Sequence, residues 1–184
     1  MGAAREASFT AFAEPALFLL IGTASVATGQ TSFAGLIGEW HHSALFPWLA
    51  APVVAVLFVL LQAEASRVPV DDPMTHLELT MVHEVMILDH SGPELAAMQY
   101  ASAIKMTTYA GLIAALLNPF DPQRDALAAV FASLFVMAGV AVAVGCVESL
   151  VARLRMRLVP HYLVLASLMA AASLGAAGWL AGPR

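Results

Sequence analysis

Charge is scarce in this chain: Asp, Glu, Lys and Arg together make up 11 % of its 184 residues, against about 25 % in soluble globular domains. So small a charged surface excludes an ordinary soluble fold. Basic residues are the rarer sign, leaving a formal net charge of −5. That balance argues against nucleic acid as a partner, since a binder must neutralise phosphates with clustered Lys and Arg. Cysteine occurs once, at Cys146. One thiol forms no internal disulfide and cannot supply the ligand set of an iron–sulfur cluster or a structural zinc site, so any redox centre belongs to another subunit. There is no nucleophile–base pairing, no phosphate-binding glycine loop and no internal repeat, which leaves a stand-alone enzyme the weakest reading.

What the chain has instead is apolar length. Sixty per cent of its residues are hydrophobic and its mean hydropathy is +0.81. A helical span needs about 20 apolar residues to cross roughly 30 Å of hydrocarbon, so about five spans fit. The expected fold is all-α: one polytopic membrane domain, 1–184, with spans near 11–29, 44–62, 95–117, 126–150 and 162–180. A long acidic loop, 63–94, separates the second span from the third. For the first run a cleavable signal peptide is the alternative, but Glu14-Pro15 at its start favours a span. Residues 30–43, with Glu39-Trp40-His41-His42, read as an interfacial loop, and Trp48 as an interfacial aromatic. Pro119 and Pro122 stop the third helix. Gly139, Gly145, Gly175 and Gly178 offer close helix–helix approach. Basic residues collect at the ends of alternate spans: Arg5, Arg67, Arg153, Arg155 and Arg157 share a side, against Arg124 and Arg184 opposite. The acidic loop is therefore expected on the cytoplasmic face of the inner membrane, with the carboxyl terminus outside.

The loop carries the chemistry. Asp72-Pro73 reads as a helix start, an Asp cap with Pro at the first helical position, and the helix is expected to run to about Asp89. Ser91 and Glu94 stand at capping-box spacing for the next helix. His76, His83 and His90 recur every seven residues, about 10 Å apart along a helix. That is too far to share one ion at Zn–N distances of about 2 Å; they read as solvated or packed histidines, or as proton carriers. Glu64, Asp71, Asp72, Glu78, Glu84 and Asp89 crowd one short segment, where like charges and partial burial raise carboxylate pKa values toward neutrality. Within the spans, Lys105 is expected roughly 15 Å deep, about ten residues after the start of its helix. Glu14 and Glu148 lie near the ends of theirs. An intramembrane charge is a functional candidate by default.

The pattern Ala63-Glu64-x-x-Arg67-x-Pro69-x-Asp71-x-Pro73, followed by Glu78-Leu79 and Ser91-Gly92, resembles the long cytoplasmic loop of the subunit 1 family of complex I, the NADH–quinone oxidoreductase. The finer text, His76 to Gly92 with Lys105 downstream and Glu148 to Pro160, resembles the component C/D membrane subunit of group 4 nickel–iron hydrogenases, hydrogenase-4 and formate hydrogenlyase among them. The resemblance implies a membrane anchor that docks a soluble redox arm and couples it to ion movement. Its implied partners are the hydrogenase-like large and small subunits, an iron–sulfur subunit, antiporter-like membrane subunits and membrane lipid; no cofactor is bound by this chain alone. By position, Glu64, Arg67, Asp71, Glu78 and Asp89 fall on the acidic loop beside the quinone cavity of complex I, while Glu84 lies in text peculiar to the hydrogenase branch. Family members have about eight spans, and this chain corresponds from about the fourth onward, as a fragment, a split gene product or a shortened homologue.

Three functions follow: an energy-coupling subunit relaying protons through the loop acids, Lys105 and Glu148, with Arg67, His76, His83 and His90 shaping or docking the loop; a purely structural anchor; and a quinone-chamber subunit of a complex I-like enzyme. In each the chain is a non-catalytic part of an oxidoreductase complex.

Overall fold

A computed structural model describes residues 2–71, 90–122 and 124–182. The described residues are helical, with no strand among them. Helix α1 covers Gly2–Thr28, α2 Phe33–Trp40, α3 Phe46–Glu64, α4 Pro93–Leu117, α5 Ala126–Leu150 and α6 Val159–Ala181. Five of them, all but α2, are long and apolar enough to cross a membrane. Successive spans alternate in direction. The start of α1, the end of α3, the start of α4, the end of α5 and the start of α6 therefore share one end of the bundle, here called the loop end.

Packing is serial rather than radial. Helix α1 lies along α6, both touch α3, α4 packs on α3, and α5 packs on α4. The α1–α6 contact is made by short side chains: Ala13, Ala16 and Ala24 on α1 and Ala166, Ala170 and Ala177 on α6 are all buried. Short side chains let two backbones approach where lipid gives no hydrophobic drive. The glycines expected to do this do not: a Cβ added at Gly139, Gly145, Gly175 or Gly178 would meet nothing within 4 Å. They lie on open faces, and alanine supplies the close contact. The turn into α5 is held by Asn118, whose Nδ2 donates to the Ala129 carbonyl and to Ser133 Oγ, each at 2.9 Å.

At the far end, the stretch expected as a loop contains helix α2. Ser32 caps it, its Oγ accepting from the Gly35 N–H at 3.2 Å. Leu36 and Trp40, four residues apart and so on one face, are both buried. Trp40 meets Phe46 edge-on at 6.2 Å, and Ser43 Oγ donates to the Ala27 carbonyl at 2.7 Å, tying the linker to the end of α1. His41 follows in that linker, its ring 4.4 Å from the Phe46 ring. Burial pushes its pKa below 6.5; the Leu116 backbone opposes the shift and the neighbouring His42 adds to it. A neutral native histidine means that the unfolded chain takes up the proton first. This contribution to stability is complete above about pH 6.5 and lost as pH falls below it. The thermal midpoint of the purified chain is expected to drop between about pH 7.5 and about pH 5.5, and His41→Gln to flatten the drop. An unaltered slope in that variant would remove His41 as its cause.

Candidate functional site

The loop end gathers the charges. Helix α3 has 19 residues, about 28 Å at 1.5 Å per residue, just enough to cross the hydrocarbon. Its last residue is Glu64, at the loop end. The Glu64 side chain is only 11 % exposed, and its Oε2 lies 3.3 Å from Lys105 Nζ on α4. Lys105 is the single lysine of the chain. Beside the pair, Ser102 Oγ donates to the Ala65 carbonyl at 3.4 Å, fixing the register of α4 on α3.

That register and the ion pair set the level of Lys105 against α3. It stands twelve positions after Pro93, about 18 Å along α4, yet level with the end of α3. The first turns of α4, mostly exposed, project beyond the end of α3. A small recess beside it is lined by Phe9, Thr10, Ser66, Val70 and Asp71 as well as Glu64 and Lys105. One turn deeper, the Tyr109 hydroxyl of α4 lies within electrostatic reach of both Glu64 and Glu14. Glu14 itself opens outward from α1.

Residues 65–71 turn back under the bundle and are tied to three elements. The Arg67 N–H donates to the Gln62 carbonyl at 2.8 Å and the Val70 N–H to the Arg67 carbonyl at 2.9 Å, which closes the turn. Arg67 Nη1 then reaches Glu148 Oε1, near the end of α5, at 3.3 Å. Asp71 Oδ1 lies 2.9 Å from Arg153 Nη2, the two side chains being 3 % and 14 % exposed. Arg153 belongs to the connector 151–158 between α5 and α6, and the Leu154 N–H donates to the Pro69 carbonyl at 3.0 Å. Above this, the Tyr162 hydroxyl of α6 donates to Oε1 of buried Gln62 at 3.0 Å. The two pairs differ in weight. Arg67–Glu148 is about a third exposed at each end and worth about 0–1 kcal/mol. Asp71–Arg153 is buried, so that loss of either partner strands a charge.

Of the residues picked from the sequence, Glu64, Lys105, Arg67, Asp71 and Glu148 are thus brought to one end of the bundle, in three ion pairs. His90 is not among them; its Nδ1 pairs locally with Glu94 Oε2 at 2.9 Å. Asp72, His76, Glu78, His83, Glu84 and Asp89, with the helix expected between 72 and 89, lie outside the described residues. Among the described residues no three His, Cys, Asp or Glu side chains converge as a metal site requires. Sequence reasoning misses the site roles of Arg153, Tyr109, Gln62 and Tyr162. A signal exists for the last three, which are hydrogen-bonding groups inside or at the edge of apolar runs.

The NADH dehydrogenase family model matches residues 1–176. No curated protein matches the chain, and no solved structure does.

Proposed function

The chain belongs to the NADH dehydrogenase family, as a multi-pass membrane subunit, and on that premise we propose that it anchors a soluble redox arm and couples that arm to proton movement. The observation that carries this reading is the Glu64–Lys105 pair: a sheltered carboxylate and the lone amine of the chain at the loop end, with Tyr109 and Glu14 one turn deeper. Such groups can take a proton at the loop end and pass it inward. Glu14, open on the outer face of α1, is the point from which the proton leaves for a neighbouring antiporter-like subunit. Within the family, the resemblance of residues 76–92 and of Lys105 favours the hydrogenase-4 and formate hydrogenlyase branch. The loop then faces the cytoplasm and meets hydrogenase-like and iron–sulfur subunits. Redox centres sit in those partners, because one cysteine cannot furnish cluster ligands.

A second reading, a purely structural anchor, is favoured by the two arginine pairs that pin residues 65–71. The readings part on Glu64→Gln in the intact complex. The coupling reading expects proton-coupled turnover to be lost while the arm stays attached at every salt concentration. Release of the arm by added salt, with coupling unchanged in the complexes that remain, supports the anchor and sinks the relay, since screening weakens exposed charge contacts.

A further inference from the structure

The site above uses Arg153 but not its neighbours. Arg155 and Arg157 are both exposed, and neither forms an ion pair with any described residue. They sit in a connector of eight residues between the end of α5 and the start of α6. Leu154 is held to the turn by its N–H bond to the Pro69 carbonyl, and His161 Nδ1 contacts the Arg157 carbonyl at 3.0 Å. So short and so fastened a connector cannot leave the bilayer boundary, which puts both guanidinium groups at the height of lipid phosphates.

Two further facts select the occupant. Apolar side chains flank the arginines openly: Leu150 is 85 % exposed and Leu158 48 %. Beyond Glu148, no residue of the chain is Asp or Glu, so nothing nearby in sequence competes for the arginines. A cationic pair framed by exposed leucines suits a ligand that is anionic above and hydrocarbon below. Guanidinium groups also match phosphate oxygens in bidentate fashion.

We propose that connector 151–158 binds the headgroup of an anionic phospholipid, with Arg155 and Arg157 holding its phosphate and Leu150 and Leu158 entering the acyl region. The site is independent of the proton relay and stands or falls separately from it.

The test uses the purified full chain in neutral detergent, doped with phosphatidylglycerol or phosphatidylcholine, with retained lipid counted by native mass spectrometry. Each arginine near an anionic leaflet is worth about 1 kcal/mol, so Arg155→Gln/Arg157→Gln is expected to lower the preference for phosphatidylglycerol roughly 30-fold, at 1.4 kcal/mol per decade. Arg155→Lys/Arg157→Lys keeps most of the preference, and in the unaltered chain the preference falls with added salt. Inorganic phosphate at the same concentration leaves retention unchanged if the ligand is a lipid; displacement by it overturns the lipid assignment. Equal retention of the two lipids by the unaltered chain overturns the proposal. So does an intact preference in the glutamine variant.

Discussion

Asp71→Asn is expected to be the most damaging single change in the described part of the chain, lowering stability by about 3–5 kcal/mol, the usual cost of removing one partner from a buried ion pair. The carboxylate is 3 % exposed and its partner Arg153 14 % exposed, so the guanidinium left behind can neither reach water freely nor lose its proton. Both Arg153 Nη atoms are already buried without a well-formed hydrogen bond to any described residue, and Asp71 is what makes the site tolerable. Domains are stable by only about 5–15 kcal/mol, so the variant should accumulate poorly. Arg67→Gln, which breaks the more exposed pair with Glu148, is expected to cost about 1 kcal/mol or less. The check is the thermal midpoint and yield of folded chain for each variant, with Asp71→Asn/Arg153→Gln as the control. The double variant should recover part of the loss, because no charge is then stranded. Equal effects of Asp71→Asn and Arg67→Gln would show that the buried pair has no special weight.

Lys105 gives the second large effect, and here two substitutions separate holding from carrying. Lys105→Met removes the charge and leaves Glu64, 11 % exposed, without its cation. Lys105→Arg keeps the cation, and the pair can re-form at similar reach. An arginine, however, does not give up its proton in a protein. If the amine only fastens α4 to α3, the arginine variant behaves like the parent chain and the methionine variant is merely less stable. If it must release and regain a proton, both variants lose turnover, however well each assembles. The relay predicts a loss of tenfold or more in proton-coupled turnover for Lys105→Arg, a barrier increase of about 1.4 kcal/mol or more, with the soluble arm still bound. Normal turnover in that variant would reduce Lys105 to a strut.

The five spans were legible because each rests on a long apolar run, and five such helices are present. Helix α2 was hidden by its brevity. Its Ser32 cap and the spacing of Leu36 and Trp40 are visible signals, but eight residues beside a pair of histidines look like loop until burial is known. The partner of Lys105 was hidden for a different reason. Counting along its own helix says nothing of α3, and only the Ser102–Ala65 contact between helices brings Lys105 level with Glu64. The same limit applies to the ion pairs. Arg67, Asp71 and Glu148 stood out singly, yet Arg67 and Glu148 are 81 positions apart, and nothing in local spacing joins an acid in one turn to an arginine in the next. Glycine misled because composition cannot say which face of a helix a small residue occupies. Alanine, less conspicuous, makes the tight α1–α6 seam.

Proton coupling in this chain depends on the Glu64–Lys105 pair carrying protons as well as fastening α4 to α3. Proton flux into sealed vesicles, driven by the redox reaction and compared at equal amounts of assembled complex carrying Lys105 or Lys105→Arg, tests it most directly. Flux at background is expected for the arginine variant, with the arm attached and the membrane helices intact. Flux equal to that of the parent complex would contradict it.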